Sequence, residues 1–150
     1  MRIEIRHTKE LDEWIAERHY LHTTPAGARI RMAFYIGKMM VGAMMWGRPT
    51  ARYIDSDSIM ELTRCVFIDE APKNTESAAL AMARKYIRRH FPEIKAVLAY
   101  SSTGQGHEGT IYKADGWFIT SMTSGGKGWE SRENRTVIDQ SKKIRWMRSV

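Results

Sequence analysis

Cysteine is almost absent from the chain. Cys65 stands alone, which excludes an internal disulfide framework and a cysteine-built zinc site. Its place in the apolar run "LTRCVFI" suits a small buried hydrophobe better than a nucleophile. No apolar run approaches the ~20 residues that a membrane-crossing helix needs, so no membrane partner is expected. The first residues, "MRIEIRHTKELDEW", lack the apolar segment of a secretory leader, and a cytoplasmic location is predicted. Acidic residues are also in short supply, 17 against 24 Lys and Arg, for a formal charge of +7. That imbalance favours polyanionic partners such as nucleic acid or a phosphorylated cofactor. There is no internal repeat, low-complexity segment or long linker, so residues 1–150 read as one domain, large enough for a proper core.

Periodicity supplies the elements. "RIEIR" alternates as a half-buried strand, and Thr8 caps a helix with Leu11, Trp14, Ile15 and Arg18 at helical spacing. A polar loop carries His19, Tyr20 and His22. The strands "IRMAFYIG" and "MMVGAMMWG" are separated by Gly37-Lys38, a hairpin turn, and their five methionines read as core filler. After the loop "RPTARYIDSDS", "IMELTRCVFID" is the longest strand candidate. A helix follows, capped by Asn74 or Thr75 and stopped by Pro92. Ala79, Leu80, Ala83, Tyr86 and Ile87 form its apolar stripe, and Arg84, Lys85, Arg88 and Arg89 its solvent face. Strand "IKAVLAYSS", a short helix "EGTIYKAD", strand "GWFITSM", a segment "ENRTVID" and a basic tail "KKIRWMR" complete a β-α-β-β-β-α-β-α-β-β order. The fold class is α/β, with a mixed sheet rather than an all-parallel one.

Two stretches invite a phosphate. Gly104–Gly109 spells G-x-G-x-x-G, but only about six helical residues fit before the next strand, too few for a dinucleotide-binding unit. The strand-loop-helix "MELTRCVFIDEAPKNTES" is better placed. A helix N-terminus offers free backbone N–H groups and a positive dipole end, and Lys73 and Asn74 add a cation and an amide. His19, His22 and Glu61 hold metal-ligand atoms, yet spacing by three is common by chance, and no metal is expected. His22, His107 and Glu61 suit general-base work, Tyr112 suits proton donation, and Tyr20, Tyr53, Tyr100, Trp117 and Trp129 lie beside basic or glycine-rich loops in a way that suits stacking on a base.

The late block "YKADGWF" resembles the A-x-x-L-Y-x-x-x-G-F ending of the GNAT superfamily of N-acetyltransferases, and the element order fits that fold. The resemblance implies a GNAT-like mixed central sheet flanked by helices, acetyl-CoA as donor, and a pyrophosphate held by backbone amides after the long strand. It also implies that Tyr112 protonates the departing thiolate. The superfamily's Q/R-x-x-G-x-G/A loop is replaced here by "EAPKNTES".

"ELTR", "PKNTES", "PEIKAVLAYSS" and "GHEGTIYKADGW" together resemble the phage Mom family, a divergent branch of that fold, across roughly residues 19 to 117. "AYSS" stands where that family carries "SYAD". Membership implies hypermodification of the exocyclic amine of adenine in double-stranded DNA, by a carbamoylmethyl (acetamido) group, as a defence against restriction. The catalytic set so implied is His22, Glu61, Arg64, Tyr100, Ser101, His107 and Tyr112. The cofactor-holding set is Val66, Ile68, Lys73, Asn74, Thr75 and Ser77. Arg64 would fix an anion or orient Glu61. Arg84, Lys85, Arg88, Arg89, Lys142, Lys143, Arg145 and Arg148 would hold DNA phosphates. A CoA-dependent acyltransferase acting on a small-molecule or protein amine is the alternative, and the sequence leaves the oligomeric state open.

Overall fold

A computed structural model describes residues 1–19, 21–25, 27–102, 109–122 and 143–150. Alternating strands and two amphipathic helices give β1 (Arg2–Ile5), α1 (Lys9–Arg18), β2 (Ile30–Ile36), β3 (Met39–Gly47), β4 (Ile59–Phe67), α2 (Thr75–His90), β5 (Ala96–Ser102), α3 (Thr110–Ala114), β6 (Phe118–Met122) and β7 (Lys143–Ser149). This is the expected order. The segment "ENRTVID" and the motif Gly104–Glu108 lie outside the described residues.

The strands form one sheet in the order β1-β2-β3-β4-β5-β7-β6. All pairs are antiparallel except β4 with β5. A long helical connection, α2, is what a parallel pair requires. The Gly37-Lys38 turn closes the β2–β3 hairpin, with Gly37 at a positive φ of 60°. Within β3, Gly42 leaves room for the Phe67 ring, which a Cβ there would overlap.

Each face of the sheet has its own apolar layer. Leu80, Ala83 and Ile87 of α2 bury against Met32, Phe34, Met44, Met60 and Val97, and Tyr112, Trp117 and Trp146 extend that layer. On the other face Leu11 and Ile15 of α1 meet Ala33, Ala43, Met45 and Val66. Thr8 caps α1 by accepting the Leu11 N–H at 3.3 Å, and Arg31 ties α1 to β2 through Asp12 at 2.8 Å. Of the five methionines, Met32, Met44 and Met45 are core, whereas Met39 is exposed.

β4 changes its facing part-way along. Met45 pairs with Arg64 and Trp46 with Leu62, so Thr63 is the extra residue of a β-bulge. Before it, Met60 and Leu62 face α2. After it, Cys65 and Phe67 face α2 and Val66 faces α1.

One charge was expected on the wrong side. Arg84 is buried, not solvent-facing, because an acid waits for it 31 residues downstream: its Nε and Nη2 donate to Asp115 Oδ2 and Oδ1 at 2.8 and 2.7 Å. Trp117 Nε1 donates to the same carboxylate at 2.7 Å, and Arg148 donates to the Asp115 carbonyl and carboxylate. A fork-to-fork pair with its remaining lone pairs satisfied tolerates burial. Arg84 is therefore withdrawn from any surface that meets phosphate, and Trp117, buried in the core, from base stacking, whereas Arg148 is half-buried and engaged by Asp115. Asp115→Ala should lower folding stability by about 3–5 kcal/mol, since it strands a buried guanidinium. Urea denaturation measures this, and a loss under about 1 kcal/mol would show the network to be solvent-screened.

Candidate active site

The parallel pairing of β4 with β5 runs only from Ile59↔Ala96 to Leu62↔Ala99. Beyond it, β5 goes on to Ser102 beside β7, and β4 goes on to Phe67 beside β3. Among the described residues, nothing in the sheet pairs with β4 between Thr63 and Phe67 on the β5 side. Alternate backbone N–H and C=O groups of that stretch face the gap. The gap is a cleft of about 830 Å³, within the range of cofactor-sized sites.

The cleft opens on both faces of the sheet. From the α1 side it is lined by Arg18, His19, Leu21, His22, Thr50, Glu61 and Tyr100. From the α2 side it is lined by Cys65, Phe67, Glu76, Ile111 and Tyr112. The bulge at Thr63 makes this division, because it allows Glu61 and Arg64 to share one face with Val66 while Cys65 and Phe67 occupy the other.

Glu61 lies at the crotch of the split, in register with Leu98 of β5, and is only 6% exposed. Thr50 holds it: the backbone N–H and the hydroxyl both donate to Oε1, at 3.0 and 3.2 Å. Burial raises the Glu61 pKa above the usual carboxylate range, and the Thr50 hydrogen bonds and the charges of Arg64 and Lys143 only partly offset it. Tyr100 is half-buried. Burial and then the Glu61 charge push its phenol up, opposed by the charge and hydrogen bond of Arg145, its register partner. An acid and a phenol that feel each other inside a cleft are a recognisable catalytic arrangement.

Arg64 works differently. Its Nε and Nη2 donate to the Thr23 carbonyl and hydroxyl at 2.8 and 3.2 Å, and its Nη1 to the Thr63 carbonyl at 2.7 Å. It thereby fastens the α1–β2 loop to β4 and acts on Glu61 through its charge. That loop brings His22 to the cleft in a left-handed conformation, φ 52°, with its Nδ1 3.2 Å from the Ala16 carbonyl. Ser101 accepts the Trp146 indole N–H at 2.9 Å, so it positions a ring. That ring leaves no room for a Cβ at Gly109, whose φ is 80°. Tyr112 lies between Trp117 and Trp146, with centroids 5.2 and 5.9 Å away.

Thus His22, Glu61, Arg64, Val66, Tyr100, Ser101 and Tyr112 converge on one cleft, and His107 lies outside the described residues. The expected phosphate seat is adjacent but differently built. Asn74 is the N-cap of α2 by position, with φ 68°, yet its side chain makes no capping bond. The Thr75 and Ser77 hydroxyls donate to the carbonyls of Pro72 and Asn74, and Lys73 is exposed. The Ile68 N–H is committed to the Val41 carbonyl at 2.9 Å. Of this helix start only Glu76 lines the cleft. Burial and the Glu76 charge push the Cys65 thiol well up, which makes it inert as a nucleophile.

Among the described residues no cluster of three metal-ligating side chains forms, and no helix is long and apolar enough to cross a membrane. Thr50 and Glu76 had no signal in the sequence, since a loop threonine and a first-turn acid are commonplace.

A mixed sheet whose central parallel pair splays after a bulge, with a helix N-terminus and a late buried tyrosine beside the gap, defines the GNAT acetyltransferase fold. An acetyltransferase of Bacillus subtilis in complex with CoA superposes with a TM-score of 0.63 at 12% identity, over 99% of this chain and 98% of that one. A ribosomal-protein-alanine N-acetyltransferase of Brucella melitensis gives 0.67 at 11% identity, with both chains fully covered. Within that fold the chain belongs to the Mom protein family, whose family model matches residues 1–149. It is 29% identical over 119 residues to the methylcarbamoylase mom of Escherichia phage Mu, covering 73% of this chain and 49% of that protein. The chain therefore spans about half the length of that relative.

The raised Glu61 pKa has a measurable sign. The folded state holds that proton more tightly than the unfolded chain does. The stability so contributed is full below the unfolded carboxylate pKa and is lost as pH rises through the raised folded value. Glu61→Gln should remove this loss, so the variant gains on the wild type as pH increases across the window. Urea denaturation at stepped pH reads the difference, and parallel profiles would mean that Glu61 ionises as freely as in the unfolded chain.

Proposed function

We propose that the chain is a DNA modification enzyme that transfers a small carbon group to the exocyclic amine of adenine, a reading that draws on its membership of the Mom family and is in keeping with the methylcarbamoylase name of the phage Mu relative. The observation that carries the reading is Glu61: a buried carboxylate with a raised pKa, held by Thr50 at the inner end of a two-sided cleft. An aryl amine has its lone pair delocalised and needs to lose a proton as it attacks. A carboxylate poised above its usual range is a suitable acceptor.

In this reading the α2 side takes a CoA-type donor, in keeping with the CoA and acetyl-CoA bound to neighbours of the same fold. The open edge of β4, including Val66, matches the amides of an extended arm, as an added strand would. The uncapped start of α2, with Lys73 and Asn74, offers N–H groups and a cation to phosphate. When bound, the donor supplies the electrophilic carbon. Tyr112 returns a proton to the leaving group from the α2 side, and Glu61 takes the amine proton on the α1 side. Tyr100 and Arg145 flank the acceptor, and His22, at the mouth, passes the proton to solvent. The base reaches this pocket only if flipped out of the duplex. Modified adenine would then resist restriction enzymes.

A second reading, acyl transfer from acetyl-CoA to a small-molecule or protein amine, draws on the fold alone. Mass spectrometry of nucleosides from cells expressing the protein separates the two. A new, heavier deoxyadenosine is expected, absent with Glu61→Gln. Unmodified adenine together with acylation of another amine would favour the second reading.

Glu76 supplies a test of the donor side. Its carboxylate sits in the first turn of α2 and lines the cleft, where a pyrophosphate would meet like charge. Glu76→Gln should tighten CoA binding roughly fivefold by calorimetry, in line with removal of one repulsive helix-terminal charge. Unchanged or weaker binding would place the phosphates elsewhere.

A further inference from the structure

Tyr53 is 94% exposed, the most exposed large apolar side chain among the described residues. A tyrosine ring in full contact with water makes no contribution to the core, and its neighbours show that the exposure is built. The Ile54 N–H donates to the Ala51 carbonyl at 3.3 Å, closing a turn whose two central residues are Arg52 and Tyr53. Downstream, Asp55 accepts from the Asp57 N–H at 2.9 Å and from the Ser58 hydroxyl at 2.7 Å, which stiffens the return to β4. Upstream, Thr50 is anchored in the cleft by its two hydrogen bonds to Glu61. The ring therefore stands on an ordered turn, three residues from the acceptor pocket. Three residues reach at most ~11 Å.

Charge indicates what the turn meets. Arg48 and Arg52 are exposed on this same loop, and neither is held by an acid among the described residues. Asp55 is occupied by Ser58 and the Asp57 amide. An exposed aromatic on a hydrogen-bonded turn that also carries two uncommitted guanidiniums, Arg52 beside it and Arg48 earlier in the loop, matches a duplex, in which stacked bases lie between phosphates.

We propose that Tyr53 is the wedge that enters the DNA stack and stabilises the extruded adenine, with Arg48 and Arg52 on the flanking phosphates. The proposal rests on the DNA-modifying reading above. Flipping a base costs the stacking it leaves behind, and a ring that takes its place returns part of that. The geometry suits it: the loop that carries the wedge is the loop that holds the base-catalyst Glu61, so insertion and alignment of the acceptor are coupled through Thr50. Tyr53 is accordingly a positioning residue. It should act on paired substrate and have little to do for a base that is already unstacked.

The test uses duplexes carrying 2-aminopurine in place of one adenine, in every nearest-neighbour context, titrated with the full chain while binding is followed by anisotropy. A rise in 2-aminopurine fluorescence is expected with the wild type, at least roughly tenfold smaller with Tyr53→Ala and restored by Tyr53→Trp, as loss and recovery of one base–aromatic stack predict. In expressing cells or extracts, the ratio of adenine modification in duplex to that in single-stranded DNA should fall by a similar factor for Tyr53→Ala. If Tyr53→Ala keeps the full fluorescence rise and the full ratio, the wedge is overturned and the DNA reading stands. If the wild type neither binds nor unstacks any of the duplexes, the DNA reading fails and takes the wedge with it.

Discussion

Everything in this molecule that concerns chemistry depends on one early parting of two strands. β4 and β5 stay paired for four residues and then separate, β5 toward β7 and β4 toward β3. Strand pairing is favourable, so the separation needs a cause. The bulge at Thr63 is one, since an extra residue bends and twists the strand that carries it. The indole of Trp146, held by Ser101 and pressed against Gly109, is another, because it fixes the far wall of the gap. A free strand edge inside a protein is ordinarily a liability. Here it is enclosed in a cleft, where a ligand with amides of its own can complete it.

The bulge also sorts the chemistry. With a regular strand, Glu61 and Cys65 would fall on the same face. The one-residue slip places the carboxylate on the α1 side and Cys65, Phe67 and Tyr112 on the α2 side. A donor and an acceptor entering from opposite faces would meet at the gap without competing for the same walls. Thr50 then has two tasks, fixing Glu61 and tethering the loop whose tip carries Tyr53.

Much of the fold was legible beforehand. Period-two alternation, the Gly37-Lys38 turn and the stripe on α2 placed every element in order, and β3 and α2 were read close to their observed ends. What escaped was long-range. A helical wheel assigns every arginine to solvent, and only Asp115, brought beneath α2 by the turn after α3, shows why Arg84 is buried. The bulge at Thr63 has no glycine to announce it. In the site, side-chain chemistry singled out Glu61 and Tyr112 and the family resemblance added Tyr100, and the fold brings these three to one cleft. The α2 start was legible as a helix N-terminus but not in detail, because Thr75 and Ser77 spend their hydroxyls on local carbonyls, and the left-handed Asn74 directs its side chain away from capping. Serine and threonine often compete for the backbone in this way.

The central claim is that one cleft serves two partners from two sides of the sheet. Hydrogen–deuterium exchange with each partner added separately tests it most directly. CoA should slow exchange in residues 64–78 and 109–112 and leave 18–23 and 48–54 unchanged. Duplex DNA should do the reverse. Protection of the same segments by both, or of neither set by CoA, would contradict a cleft divided at Thr63.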